Sequence, residues 1–452
     1  MKYNPKYIFK CGLEIHTQLK TKYKLFSLSQ TSFGDSPNTN VSFFDLGLPG
    51  TQPKLNTEAL YLGLIASKIL NCQIQPYSTF DRKHYFYPDQ PLGYQITQFY
   101  HPLSKNGYLK LNEKFDGVDK TINIQQIQLE QDTGKKYNDK TIDYNRNGIP
   151  LIEVITDPDF ENIDQVQSFV KKYQTLVTHM SVCAGTMETG AIRVDANISV
   201  NDNSRVEIKN LGSSGEIVDA LKYEYNRQIE ALENGRSIIQ ETRNWNGKTT
   251  ESSRSKEDAV DYRYVPDSEL PVIRIDESMS EDIGKELPEL PDDILTRLTK
   301  SLELKYAKFL LNTPELLQYY DEFNHSDKNK WIFQELLGQF SKLDKQFDSN
   351  IIPPKTLQEI INLNCPLSEK RNVVREMILN PRPLSEIYKQ DSPNINIDQL
   401  CNDIINKNQH LVAKLQIQPS VLQSLIGQAM KQTRGKIHAN IIKGKFIELL
   451  KL

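Results

Sequence analysis

Apolar positions in the first part of the chain recur with period two. In CGLEIHTQL, Leu13, Ile15 and Leu19 share one face and Glu14, His16 and Gln18 the other, as side chains alternate along a strand. AIRVDANISV repeats the split: Ile192, Val194, Ala196, Ile198 and Val200 oppose Arg193, Asp195, Asn197 and Ser199. In RVEIKNL, Val206 and Ile208 oppose Glu207 and Lys209; in IQLEQDTGK, Ile127 and Leu129 oppose Gln128, Glu130 and Asp132. These segments predict strands with one apolar and one ionisable face. PLIEVIT differs, because Glu153 shares its face with Leu151 and Ile155 while Ile152 and Val154 take the other, which predicts a buried carboxylate.

One helix stands out among the strands. Val166, Phe169, Val170, Tyr173 and Val177 follow the i, i+3, i+4, i+7, i+11 pattern, with Pro158 ahead of the start. Strands interspersed with such helices predict an α+β class, an antiparallel sheet with flanking helices. After the Pro-rich ELPELPDD (286–293) the pattern turns helical, through Leu295, Leu298 and Leu302, then Phe309 and Leu310, then Trp331, Phe333, Leu336 and Leu337. A cluster of turn formers, DSPNINI, marks a second boundary near 391–397. The expected division is 1–290, 291–394 and 395–452.

With 452 residues, the chain exceeds one ordinary core and calls for several domains. Charged residues at 25%, hydrophobic ones at 38% and a net charge of -3 describe a globular chain with no overall attraction to nucleic acid, so any RNA contact must be local. The five cysteines are scattered and form no CxxC pair, which argues against a zinc ribbon or a disulfide framework. No apolar run approaches the roughly 18 residues of a membrane span. The opening MKYNPKYIFK is basic but lacks the Arg- and Ser-rich length of an import signal, and reads as an arm into the first strand.

A buried, unpaired carboxylate costs several kcal/mol, so Glu153 needs a cation, a donor or a proton. With Glu14, Glu130, Asp195 and Glu188 on neighbouring strands, a divalent ion meets that need, and oxygen ligands with one imidazole from His16 suit Mg²⁺ or Mn²⁺. From the residues alone a second reading stays open: solvated faces with ordinary cross-strand pairs, Arg193 with Asp195 and Glu207 with Lys209. The run FDRKHYFYPDQPLGYQITQ, rich in Tyr, predicts a strand, a Pro and Gly turn, and a second strand. It forms either a core hairpin or a pocket wall with Asp81, Arg82 and Lys83 at its mouth. The common phosphate-loop, dinucleotide and HExxH motifs are absent, as is a serine elbow.

Taken together, GLEIHTQL, DLGLPGTQP, FDRKHYFYPDQPLGYQITQ, LEQDTGK, NRNGIPLIEVIT, METGAIRVDANIS, EIKNL, SRSKEDAVDYRYVPDSELP and LIGQAMKQTRGK resemble the B subunits of the glutamyl/aspartyl-tRNA amidotransferases over nearly the whole chain. The resemblance implies a cradle-like sheet domain, a helical domain and a small helical tail that grips tRNA. It also implies a two-step reaction. Glutamate carried on tRNA(Gln) is phosphorylated on its side chain with ATP and Mg²⁺, and ammonia from a partner amidase, the A subunit, then displaces phosphate to give Gln-tRNA(Gln).

Carried onto this sequence, the resemblance makes His16, Glu130 and Glu153 metal ligands, with Glu14 and Asp195 at a second metal position or just outside the first. Arg193 and Lys209 become phosphate partners, and Lys83 lines the ammonia entrance. The chain has Gln128 and Gln131 where bacterial members have His and Glu, which removes position 131 as a ligand, and Gly212 where they have Asn. The Gln-containing form resembles the fungal mitochondrial branch, implying the mitochondrial matrix and a small third subunit, of C type or a fungal replacement. For tRNA, the basic tail offers Lys431, Arg434 and Lys436, then Lys443, Lys445 and Lys451 beside the lone acid Glu448. The rival readings are a tRNA-binding scaffold with a degenerate acidic cluster, a stand-alone phosphotransferase acting on a small carboxylate, and a complete glutaminase, for which no amidase centre is visible.

Overall fold

In the computed structural model, which describes residues 5–138, 140–255, 262–388, 396–412, 421–433 and 439–450, the alternating segments pair into one nine-stranded sheet. The strands that matter here are β1 (Phe9–Gln18), β2 (Asp81–His84), β3 (Tyr94–Thr97), β4 (Ser104–Leu111), β5 (Lys120–Gln131), β6 (Pro150–Thr156), β7 (Ile192–Val200), β8 (Val206–Leu211), β9 (Glu241–Trp245) and β10 (Thr250–Ser255). The large sheet runs β10-β9-β8-β7-β1-β6-β5-β4, with Gln73–Ile74 at its edge. Its ladders are antiparallel apart from β8 with β9. That pair is parallel because a 20-residue helix, Ser214–Glu233, carries the chain back across the sheet between the two strands.

Three helices cover the apolar face: α1 (Thr57–Ile69), α2 (Ile163–His179) and α3 (Ser214–Glu233). Each begins at a residue whose side chain accepts from the first-turn amides, Asn56, Asn162 and Ser213 respectively. The signal that starts α2 is therefore Asn162, four residues beyond Pro158. All five apolar residues read as its stripe are buried, and they join Ile15, Val154, Val194 and Ile208 in one core. Burial of each such side chain contributes roughly 1.5–3 kcal/mol. Behind the ionisable face, the Tyr173 hydroxyl of α2 and the Thr17 hydroxyl of β1 share a buried hydrogen bond of 2.7 Å.

The Tyr-rich run forms the β2–β3 hairpin, joined by Val265–Pro266 into a small sheet of three strands. β3 packs against β5, so this hairpin stands over the ionisable side of the large sheet. The first compact unit continues to Leu298, because the helix Pro291–Leu298 packs on α2 and Lys172 bonds both Asp116 (2.8 Å) and Asp292 (2.6 Å).

In the second unit, from Thr299, all regular elements among the described residues are helices. Leu302, Leu310, Trp331 and Leu336 are buried as their spacing predicts, whereas Phe309 is exposed because Ala307, Leu310 and Leu311 take the inner face. Lys330–Leu336 winds as a π-helix, not an α-helix. Within it Glu335 is buried and held bidentately by Arg371 at 2.5 and 2.7 Å. Toward the end, Cys401, Ile404, Leu425, Ile426, Ala429, Ile442 and Phe446 form a small separate core among Ile397–Lys407, Val421–Gln432 and Ala439–Leu450. The turn formers 391–395 lie outside the described residues.

Replacing Tyr173 with Phe leaves Thr17 buried without its partner, and is expected to lower unfolding free energy by about 1–2 kcal/mol. Urea denaturation of the two proteins measures the difference, and an unchanged midpoint would show that the bond contributes nothing net.

Candidate active site

Register gathers the ionisable residues. His16 of β1 lies opposite Glu153 on one side and Arg193 on the other; Glu14 lies opposite Asp195; Gln128 lies opposite Glu153. Period-two alternation across β5, β6, β1, β7 and β8 therefore puts these side chains on one face, away from the helices. Donor atoms of His16, Glu130 and Glu153 all lie within 4.8 Å of one another, with His16 Nε2 3.9 Å from Glu153 Oε1. A second group with the same spacing joins Glu14, Asp195 and Glu207.

The two groups are neutralised differently. Lys209 Nζ sits 3.2 Å from Asp195 Oδ2 and 2.9 Å from Glu207 Oε1, so an ammonium already serves the second group. Burial alone would lower the Lys209 pKa, yet Asp195 and Glu207 hold it above the ordinary lysine value. Around the first group the supporting contacts are amides. Gln95 Nε2 donates to Glu130 Oε1 at 2.7 Å and to the Gln131 carbonyl at 2.8 Å; Gln128 Nε2 donates to Glu153 Oε2 at 2.6 Å and to Thr97 Oγ1 at 3.2 Å. Each amide holds one oxygen of a carboxylate, as supporting residues do around metal ligands.

Burial, with the neighbouring charges of Glu14 and Asp195, raises the Glu153 pKa to about 7 against the opposing pull of Lys83 and of the Gln128 hydrogen bond. Burial and Glu153 likewise raise Glu130, opposed by Lys83 and His16. Lys83 lies in β2, with Nζ 4.8 Å from the Tyr262 ring centroid. Burial disfavours its charge, but Glu130, Tyr264 and Glu153 outweigh that and hold it protonated. Three converging ligands, two of them pushed toward protonation, suit a hard divalent cation; the donor set of two carboxylates and one imidazole fits Mg²⁺ or Mn²⁺.

Arg193 reaches Asp132 at 3.0 Å rather than the Asp195 two residues along its strand. Glu188 does not join the cluster: it sits in the exposed turn before β7, where alternation no longer governs direction. Glu207, Gln95 and the supporting role of Gln128 are additions to the expected set. Glu207 and Gln128 carried a signal, the shared alternating face; Gln95 carried none, because it arrives from a hairpin outside the large sheet. In the second unit Lys431 and Lys443 are exposed, while Lys445 is engaged by Asp398 (2.5 Å) and Glu448 (2.9 Å). Arg434, Lys436 and Lys451 lie outside the described residues.

Residues 9–281 match the family described as the GatB/GatE catalytic domain, and residues 318–450 match the GatB domain. The chain is 57% identical to a protein of Candida albicans (strain WO-1) named as the B subunit of mitochondrial glutamyl-tRNA(Gln) amidotransferase, over 99% of this chain and 97% of that one. Its counterparts of the same name in Candida tropicalis and Debaryomyces hansenii are 57% and 50% identical, each over 99% of this chain and over 98% and 96% of their own length.

The Glu153 pKa of about 7, against an ordinary glutamate value of 4.5, fixes a sign. Because the folded-state value is raised, ionising Glu153 costs stability; the cost is absent below pH 4.5, grows up to pH 7 and is constant above it. Without divalent ions, Glu153→Gln should match the wild type near pH 4.5 and exceed it at pH 8 by about 2–4 kcal/mol. Thermal unfolding in EDTA across that range checks this, and a difference independent of pH would contradict it.

Proposed function

The chain belongs to the B-subunit family of glutamyl-tRNA(Gln) amidotransferases, and from that premise we propose how its sheet face carries out the activating half of the reaction. As a member of that family it is the ligase subunit acting in tRNA-dependent amidation, one component of a multi-subunit complex, and mitochondrial like its relatives. The finer reading is that the side-chain carboxylate of glutamate on tRNA(Gln) attacks the terminal phosphorus of ATP. The bond to the bridging oxygen breaks, and ADP leaves. Ammonia then attacks the acyl carbon, phosphate departs, and the excess proton passes to solvent.

The observation that carries this reading is the convergence of His16, Glu130 and Glu153 on one roofed face. Phosphoryl transfer to a carboxylate brings together groups of like charge, so it needs positioning and charge neutralisation more than covalent help. Mg²⁺ held by those three residues would supply that neutralisation. Gln95 and Gln128 hold the ligands in orientation, and Arg193 offers a planar fork to phosphate oxygens. Lys209, bound between Asp195 and Glu207, keeps the adjoining acidic group neutral enough for a polyanion to approach; Glu14 and Asp195 serve next to the first ion or hold a second. Lys83, on the hairpin, faces the path of ammonia from an amidase partner, with a small third subunit completing the complex. The degenerate-scaffold alternative leaves the convergence of three ligands without a cause.

For the tRNA, the tail (395–452) presents Lys431 and Lys443 as exposed cations, continued by Arg434 and Lys436 in sequence. The proposed helical domain, 291–394, precedes it in the chain.

Two outcomes follow. With the reconstituted complex, labelled ATP and Glu-tRNA(Gln), Glu153→Ala should lower Mg²⁺-dependent phosphorylation by about 100-fold or more while tRNA affinity is retained; full turnover in a folded variant would remove the metal assignment. Lys431→Ala should weaken tRNA binding and reduce the slope of log affinity against log salt by about 1. An unchanged slope would take Lys431 out of the interface.

A further inference from the structure

Asp132 lies just beyond β5 and is buried, although it belongs to neither acidic group. Both of its oxygens are engaged. Oδ1 accepts from Arg193 Nη2 at 3.0 Å and from the Thr133 amide at 2.9 Å; Oδ2 accepts from Gln18 Nε2 at 3.3 Å and lies 3.7 Å from Arg146 Nε. Its own backbone is pinned on both sides, the amide to the Ile149 carbonyl (2.9 Å) and the carbonyl to the Gly148 amide (2.8 Å). One carboxylate thus faces two guanidinium groups.

The two arginines differ in what they have left to offer. Arg146 is committed to the loop it spans, donating from Nε to the Thr133 carbonyl (2.9 Å) and from Nη2 to the Gly134 carbonyl (2.8 Å). Arg193 makes its hydrogen bond to Asp132 through Nη2, and its Nε and Nη1 have no partner among the described residues. Its place in the ladder, directly opposite His16, puts it on the face of the metal-ligand trio. A mobile guanidinium there would be drawn toward Glu130, Asp195 and Glu14. Holding it on Asp132 keeps its remaining N–H groups available to a ligand.

We infer that Asp132 is a positioning residue: it holds Arg193 away from the neighbouring carboxylates and presents the free side of its guanidinium to a phosphate oxygen of the nucleotide. Gln18, hydrogen-bonded to the other oxygen, and Arg146, whose charge lies 3.7 Å from it, keep the Asp132 carboxylate from rotating. This role rests on the phosphoryl-transfer reading above.

A double-mutant cycle in the assembled complex tests it. ADP release with Glu-tRNA(Gln) and the Kd of a non-hydrolysable ATP analogue are measured for Asp132→Asn, Arg193→Ala and the double variant, with Glu153→Ala alongside. Arg193→Ala should lower kcat about 100-fold and Asp132→Asn about tenfold. The double variant should be no worse than Arg193→Ala. Analogue binding should weaken in both single variants while KM for the tRNA stays constant. Additive losses, or full kcat and unchanged analogue affinity in Asp132→Asn, overturn the role. Should Asp132→Asn fail to fold, Arg193→Lys keeps the charge and removes the fork: a loss of about tenfold supports the inference, and wild-type kcat overturns it. Full turnover in Glu153→Ala would remove the phosphoryl-transfer reading itself; loss there with an unaffected Asp132→Asn would remove only the role of Asp132.

Discussion

Negative charge crowded onto one sheet face is the constraint around which the first unit is built. Glu14, Glu130, Glu153, Asp195 and Glu207 project from neighbouring strands, and so many carboxylates cannot be both dry and ionised without compensation. Each surrounding feature answers part of that demand. Lys209 bridges Asp195 and Glu207, Lys83 brings an ammonium from the overlying hairpin, and two glutamine amides bind Glu130 and Glu153. Glu153 carries the remaining strain of charge: burial, with Glu14 and Asp195 nearby, raises its pKa to about 7. A hard cation bound there, as proposed above, would offset that charge.

The fold serves this face by being two-sided. A slip of one residue in any central ladder would turn carboxylates into the core and isoleucines onto the ionisable face, so the apolar packing behind the sheet also fixes the register of that face. α2 and α3 supply that packing, and the Tyr173–Thr17 bond anchors β1 immediately beside His16. Stability and site geometry are here one set of contacts. The loop after β5 extends the arrangement, since Asp132 is held through its backbone while its side chain holds Arg193.

Much of this was legible in sequence because period two is a strong signal when both faces are chemically distinct. The alternation at Glu14, His16, Arg193, Asp195, Glu207 and Lys209 marked the face directly, and a carboxylate sharing a face with Leu151 and Ile155 in PLIEVIT pointed to Glu153. Alternation carries no information on which strands are neighbours, so pairing of His16 with Glu153 and Arg193 became visible only in the ladder. The parallel β8–β9 pair followed from a crossover helix that local patterns do not orient. Glu188 was misplaced because a turn interrupts the strand rhythm, and Gln95 was missed because it enters from a different sheet. Phe309 faces outward although its neighbours fit a stripe, because Ala307, Leu310 and Leu311 already fill the inner face of that short helix.

On the proposed function, one divalent ion binds His16, Glu130 and Glu153 in preference to the group already served by Lys209. Electron spin-echo spectroscopy of Mn²⁺ bound to the complex tests it most directly, because only the first group contains a nitrogen ligand. A nitrogen coupling to the bound ion that disappears in His16→Gln is the expected result. Mn²⁺ bound with no nitrogen coupling, or a coupling that survives that substitution, would contradict it.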